Sequence, residues 1–229
     1  MDLYYFYLNS LYQKQSCSIT KCNYLFYKKL PLYQQIREMT KHFNFYKDGL
    51  DLEFLRDYCM KRGEVRIMKR GEIFEEAGNP SQYVAYVERG YFKYMVHNDE
   101  EGKDYCTGFA FEGEFVASYP NCLYGKKSET TIVTGTPCKI FQILGKELEI
   151  LLDALNMECH KQAISDCLFT QIYAQYLDTY RMTTRERYKR LLLRCPELVQ
   201  SINLKDIASY LKVTPTTISN IRRKITFGE

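Results

Sequence analysis

Residues 203–224, Asn-Leu-Lys-Asp-Ile-Ala-Ser-Tyr-Leu-Lys-Val-Thr-Pro-Thr-Thr-Ile-Ser-Asn-Ile-Arg-Arg-Lys, constrain the fold more than any other stretch. Apolar residues recur at Leu204, Ile207, Leu211, Val213, Ile218, Ile221 and Ile225, with small Ala208 where two helices would cross. Asn203 is a good N-cap for the first helix, and Thr214 followed by Pro215 supplies a cap and a first helical position for the second. On a helical wheel Ile218, Ile221 and Ile225 share one face. Thr216, Asn220 and Arg223 lie almost opposite, with Ser219 alongside. A helix with a buried aliphatic stripe and a polar, basic outer face, held by a supporting helix, suits the DNA major groove. One residue resists the pattern: Lys212 falls at the turn, where glycine is the usual left-handed residue, at a cost of about 1 kcal/mol.

Charge is distributed in the same sense. Residues 181–229 hold 11 lysines and arginines against four acidic residues, a surplus of seven, whereas the remainder holds 21 against 24. A basic segment attached to a near-neutral one is the electrostatic pattern of a phosphate-binding module. The 229 residues suffice for one large domain or two small ones with a substantial core. No apolar run approaches the roughly 20 residues needed to cross a bilayer, and the N-terminus lacks the pattern of a secretory signal, so a cytoplasmic location is expected. Nine cysteines (17, 22, 59, 106, 122, 138, 159, 167 and 195) are odd in number, scattered, and set mostly among apolar residues. Reduced, buried thiols fit them better than a disulfide framework.

Taken in order, residues 1–38 are aromatic-rich without a clean period. An extra packing or dimer segment, a solvated tail, and sequence upstream of a start at Met39 are the readings open for them; the last is favoured. Residues 48–60 form an amphipathic helix with Leu52, Leu55 and Tyr58 on one side. From Val65 to Ile143, short runs rich in β-branched and aromatic residues alternate with glycine turns: Val65–Met68, Tyr83–Val87, Tyr91–Val96, Tyr105–Phe109, Thr131–Thr134 and Lys139–Ile143. Asn98–Lys103 reads as a hairpin turn. Six or more such strands argue for an antiparallel barrel or jelly roll, giving an α+β chain overall. Lys146–Leu155 is a short helix, and residues 157–180 continue as a long one with Ile164, Leu168, Ile172 and Tyr176 as its apolar stripe. That helix either packs along its own barrel or pairs with its copy; the dimer is favoured, because a reader with one short recognition helix needs two half-sites. Thr183-Thr-Arg-Glu186 is a capping box opening a helix over Arg185–Cys195, which Pro196 stops. Little chain follows Ile225, so a wing after the second helix of the pair is expected to be absent or minimal.

This order of parts resembles the Crp–Fnr family of bacterial transcription regulators over about residues 40–227. Lys69–Phe74, Glu76–Gly78, Val87–Tyr91 and Phe111–Phe115 look like that family's β-roll landmarks. Glu186–Leu192, Pro196–Leu198 and Ile207–Pro215 look like its DNA-binding domain. The resemblance implies a sensor β-roll over 39–145, a linker and dimerisation helix over 146–180, and a helix-turn-helix domain over 181–229. It further implies a homodimer on a palindromic promoter site of double-stranded DNA, with RNA polymerase as a further partner and no catalytic activity. On the matching positions, the DNA-facing set is Thr214, Pro215, Thr216, Thr217, Ser219, Asn220, Arg222, Arg223 and Lys224. Asn220 suits adenine and Thr216 a thymine methyl, with Arg222, Arg223 and Lys224 on phosphates.

The family's nucleotide-binding cassette maps onto Gly113, Glu114, Lys127, Ser128 and Thr130, the candidate effector residues. The arginine that would neutralise a cyclic phosphate falls on Ser128, beside Glu129, so cyclic AMP in the usual mode is disfavoured. Lysine at 126 or 127 lacks the planar fork that would replace it. The cysteine spacing does not suit an iron–sulfur cluster, and His42, His97 and His160 do not suit axial haem ligation. No metal or cofactor is therefore expected. The alternative function is a ligand-binding module acting on a partner protein. An enzyme on a cupin-like barrel lacks the histidines its metal would need.

Overall fold

The computed structural model describes residues 42–155, 157–195, 199 and 201–227. The aromatic N-terminal stretch with Cys17, Cys22 and Met39, and the helix stop at Pro196, lie outside the described residues. Two short helices, α1 (Tyr46–Gly49) and α2 (Glu53–Arg62), lead into eight strands. These are β1 (Glu64–Met68), β2 (Ile73–Glu75), β3 (Tyr83–Arg89), β4 (Phe92–Asn98), β5 (Lys103–Ala110), β6 (Phe115–Val116), β7 (Thr131–Thr134) and β8 (Cys138–Leu144), with α3 (Asn121–Tyr124) between β6 and β7. The expected helix over 48–60 is thus broken at Leu50–Leu52, and β2 and β6 add two strands that the sequence patterns do not mark.

The strands form two four-stranded antiparallel sheets, in the orders β1-β8-β3-β6 and β2-β7-β4-β5. Alternation of burial along β3 and β7 turns Ala85, Val87 and Ile132 inward against Phe74, Phe92 and Ile140, which closes a two-sheet core. Residues 98–103 make the hairpin turn, with Asn98 Oδ1 accepting from the Glu101 amide at 3.0 Å. Gly90 turns β3 into β4 at φ 91°, and a Cβ there would lie 2.6 Å from the Pro137 carbonyl oxygen. No other residue fits at that position.

After β8 the chain is helical: α4 (Gly145–Ala154), α5 (Glu158–Arg181), α6 (Thr184–Arg194), α7 (Leu204–Tyr210) and α8 (Pro215–Phe227). The capping box at Thr183 and Glu186 is formed in both directions and starts α6. The expected stripe on α5 does not act as one face. Ile164 is buried against Tyr46 and Leu50, and Leu168 packs beside it, whereas Ile172 and Tyr176 are exposed. Residues four apart advance about 40° around a helix of 3.6 residues per turn, so the stripe winds off the β-roll into solvent. There Phe169, Tyr173 and Tyr180 extend it into an exposed aromatic face. None of the helices among the described residues is long and apolar enough to cross a membrane.

Candidate functional site

The helix pair forms where the sequence places it. Asn203 Oδ1 accepts from the Lys205 amide at 2.9 Å and caps α7, and Thr214 Oγ1 accepts from the Thr217 amide at 3.2 Å and caps α8. Lys212 takes φ 56°, the left-handed geometry expected of the turn. Ile207, Ala208, Leu211, Ile218 and Ile221 are buried in one cluster with Tyr188 and Leu191 of α6. Thr216, Ser219, Asn220, Arg223 and Lys224 are exposed on α8. Thr214 and Thr217 serve the cap, their hydroxyls 2.9 Å apart.

Arg222 departs from the expected phosphate-facing set. It is only half exposed, its Nε donates to the Tyr188 hydroxyl at 2.7 Å, and its guanidinium lies 5.8 Å from the Tyr188 ring centroid. Nη2 reaches the Val199 carbonyl at 3.4 Å. The position follows from the wheel: residue 222 is next to buried Ile221 and four beyond buried Ile218, so it lies at the edge of the apolar stripe and turns inward. Arg222 braces α8 against α6.

The outer face of α7 is partly covered, because it docks on the β-roll. β5 is a free edge of its sheet, and the Cys106 amide on that edge donates to Ser209 Oγ at 2.8 Å. Lys93 Nζ on β4 pairs with Asp206 at 3.1 Å, with both side chains mostly buried. Tyr210 packs on Phe43 and Phe109, with ring centroids 5.6 and 5.5 Å away. Covering an edge strand with a helix removes its open hydrogen-bonding row from water. Burial holds the Cys106 thiol up at about 12, so it stays a neutral packing group. Sequence reading missed this contact. Its only trace is that Asp206, Ser209 and Tyr210 form a second helix face beside the apolar one, with an aromatic ring that a solvated face does not need.

A second feature lies between the β-roll and α5: a cavity of about 400 Å³. Tyr46, Leu55, Tyr94, Phe109, Phe115 and Leu168 are among its walls, and Asn44, Gln171 and Gln175 add amides.

No protein-family model and no curated protein matches the chain. Solved structures do. FixK2 from Bradyrhizobium japonicum superposes with a TM-score of 0.64 at 16% identity, over 72% of this chain and 86% of that one. A CooA variant from Carboxydothermus hydrogenoformans gives 0.58 at 12% identity, over 76% and 83%. CLP, described as a c-di-GMP responsive global regulator in Xanthomonas campestris, gives 0.57 at 15% identity, over 78% and 93%. The chain has the Crp–Fnr fold.

Within the Crp–Fnr fold, the five candidate effector residues do not assemble into one site. Only Thr130 lines the cavity. Glu114 is 2% exposed, and its Oε2 accepts from Asn44 Nδ2 at 2.7 Å and from the Phe111 amide at 2.8 Å. Asn44 Oδ1 in turn accepts from Gln171 Nε2 on α5 at 3.1 Å. The carboxylate therefore ties the segment before α1 to the β-roll, and burial pushes its pKa up. Ser128 is buried in a turn, where its hydroxyl donates to the Thr130 carbonyl at 2.7 Å. Lys127 points into solvent, and the Gly113 carbonyl accepts from Lys47 Nζ at 2.8 Å. Glu114 is committed to Asn44, a partner seventy positions away, and Ser128 to the turn it sits in. Of the histidines, His42 and His97 pair with Asp48 and Asp104, both at 2.7 Å, and His160 packs edge-on to Phe54.

Proposed function

We propose that the chain is a sequence-specific DNA-binding transcription regulator of the Crp–Fnr type, acting as a homodimer in the cytoplasm and without catalytic activity. The observation that carries this reading is the two-sided character of α8. Ile218 and Ile221 are buried against α6 and α7, while Thr216, Ser219, Asn220 and Arg223 stand exposed on the other side. A rigid helix with a polar, basic outer face is what the major groove admits. Thr216 and Asn220 read base edges, and Arg223 and Lys224 hold phosphates. The surplus of seven positive charges over residues 181–229 draws this end of the chain to DNA.

The exposed aromatic face of α5 pairs with its copy, which sets two α8 helices on the half-sites of a palindromic promoter site about 34 Å apart. RNA polymerase is the further partner. The β-roll is the sensor, and its effector is not a cyclic nucleotide held in the usual way.

The test is the salt dependence of DNA affinity, measured on the operator recovered from genome-wide occupancy of the full chain. Substituting Arg223→Ala and Lys224→Ala together should flatten the slope of log K against log salt by about one unit per lost phosphate contact. Asn220→Ala should relax preference at one base pair, at a cost of about 1–3 kcal/mol, and leave the slope alone. A chain whose occupancy follows no motif, and whose slope does not respond, acts on a partner protein instead.

A further inference from the structure

The cavity beside α5 has a composition that selects its occupant. Among the described residues, neither lysine nor arginine lines it. The acidic side chain along its wall is Glu129, which is exposed to water and offsets no charge placed deeper. A buried anion would thus be left without a partner, which is strongly unfavourable. At about 400 Å³ the space suits a small molecule, and its aromatic walls favour a flat, apolar one.

The deeper aromatic and amide groups of the wall are committed to protein partners. The Tyr46 hydroxyl lies between the Phe115 carbonyl and amide, Tyr94 donates to the Ala117 carbonyl at 3.2 Å, and Tyr119 donates to the Lys161 carbonyl at 2.8 Å. Gln171 accepts from the Phe45 amide at 2.8 Å and donates to Asn44. Gln175, one turn further along α5, is different. Among the described lining residues its Nε2 is the buried side-chain polar atom with no hydrogen-bond partner. A buried, unpaired amide donor is unfavourable, and an acceptor brought in by a ligand would relieve it.

We infer that this cavity binds an uncharged, largely apolar small molecule that presents a hydrogen-bond acceptor to the Gln175 amide. This deepens the proposed function by naming the chemistry of the effector. Phe43 and Phe109 wall the cavity and also touch Tyr210, so an occupant bears on how α7 sits against β5. That consequence rests on the proposed function; the binding itself is read without DNA.

The test uses the full chain and two fluorescent probes that differ by one sulfonate, N-phenyl-1-naphthylamine and 1-anilinonaphthalene-8-sulfonate. The neutral probe should bind about tenfold or more tightly than the anionic one, since only the latter buries an unpaired charge. Ala117→Phe, which fills the cavity, should abolish binding of the neutral probe. Should that variant not fold, Gln175→Leu gives the second reading. In displacement of the neutral probe, 2-acetylnaphthalene should beat 2-ethylnaphthalene by about threefold to tenfold in the native chain, and Gln175→Leu should erase the difference. Equal binding of the two probes, displacement by cyclic AMP, no binding of the neutral probe, or binding that survives in folded Ala117→Phe would overturn the inference. Loss of DNA binding alone would overturn only the proposed function.

Discussion

The Phe43 ring packs on Tyr210 at 5.6 Å between centroids, with the planes tilted by 59°. Phe43 belongs to the wall of the cavity, and Tyr210 to the helix that supports α8. One side chain is therefore shared by the two features that make this chain a candidate regulator. An aromatic contact of this kind contributes about 0.5–1.5 kcal/mol beyond its buried area. Tyr210→Ala should loosen the docking of α7 while the two-sheet core stays intact. The Cys106 amide, whose proton is held by Ser209, is the reporter. Its hydrogen exchange should accelerate about tenfold, with the Val87 amide, inside the β-roll, unchanged. Unchanged protection at Cys106 would place the docking energy elsewhere.

Glu114 makes stability depend on pH. Burial raises its pKa in the folded chain above the ordinary carboxylate value of 4.5, although the Phe111 amide, Asn44 and Lys47 act in the other direction. The folded state therefore holds this proton to higher pH than the unfolded state does. Its contribution is fully present below the unfolded value and is lost as pH rises towards the folded one. Thermal melting followed from pH 4.5 upward should show a decline in stability, and Glu114→Gln should flatten it. A wild-type curve that rises through the same window would show that the Asn44 and Phe111 hydrogen bonds outweigh burial.

The parts of the fold with local causes were legible. Asn203, Thr214 and the Thr183–Glu186 box cap helices through atoms within three residues of themselves, and the Asn98–Lys103 hairpin is equally local. The core strands announced themselves by composition, but β2 and β6 did not, being three and two residues long. Long-range commitments were illegible. Glu114 looks like a ligand-binding carboxylate until Asn44, seventy positions away, is seen to hold it. Arg222 looks like a phosphate contact until Tyr188 is found beneath it. The α5 stripe of Ile164, Leu168, Ile172 and Tyr176 has a spacing of four, which drifts around a helix of 3.6 residues per turn, so its residues fall on two faces and not on one.

The outer part of α5 gives a test of assembly. Phe169, Ile172, Tyr173, Tyr176 and Tyr180 are each at least half exposed, and Phe169 stacks flat on Tyr173 with ring centroids 5.8 Å apart. An apolar stripe of this length is the surface that the proposed dimer would bury. Phe169→Glu with Tyr173→Glu places like charges at its centre and should shift the sedimentation coefficient from dimer to monomer. Ile164→Val, on the part of the helix that faces the β-roll, should leave the coefficient alone. A native chain that sediments as a monomer at the concentrations used would sink the dimer.

Arg222 and Arg223 are neighbours in sequence, and the structure gives them opposite surroundings. Arg222 donates to the Tyr188 hydroxyl and lies over its ring, and Tyr188 is among the most buried side chains of the chain. Arg223 is exposed. Removing the first leaves a buried hydroxyl without its donor, so Arg222→Ala should lower unfolding stability by about 1–3 kcal/mol. Tyr188→Phe should reproduce part of that loss, since both act on one hydrogen bond, and the double substitution should fall short of the sum of the two singles. Arg223→Ala should leave thermal melting unchanged and weaken DNA binding, with a flatter salt slope. The two arginines are thus separable by two measurements on the same pair of proteins. If Arg222→Ala melted normally and bound DNA weakly, the brace against α6 would be the wrong assignment, and both arginines would belong to the phosphate-facing set.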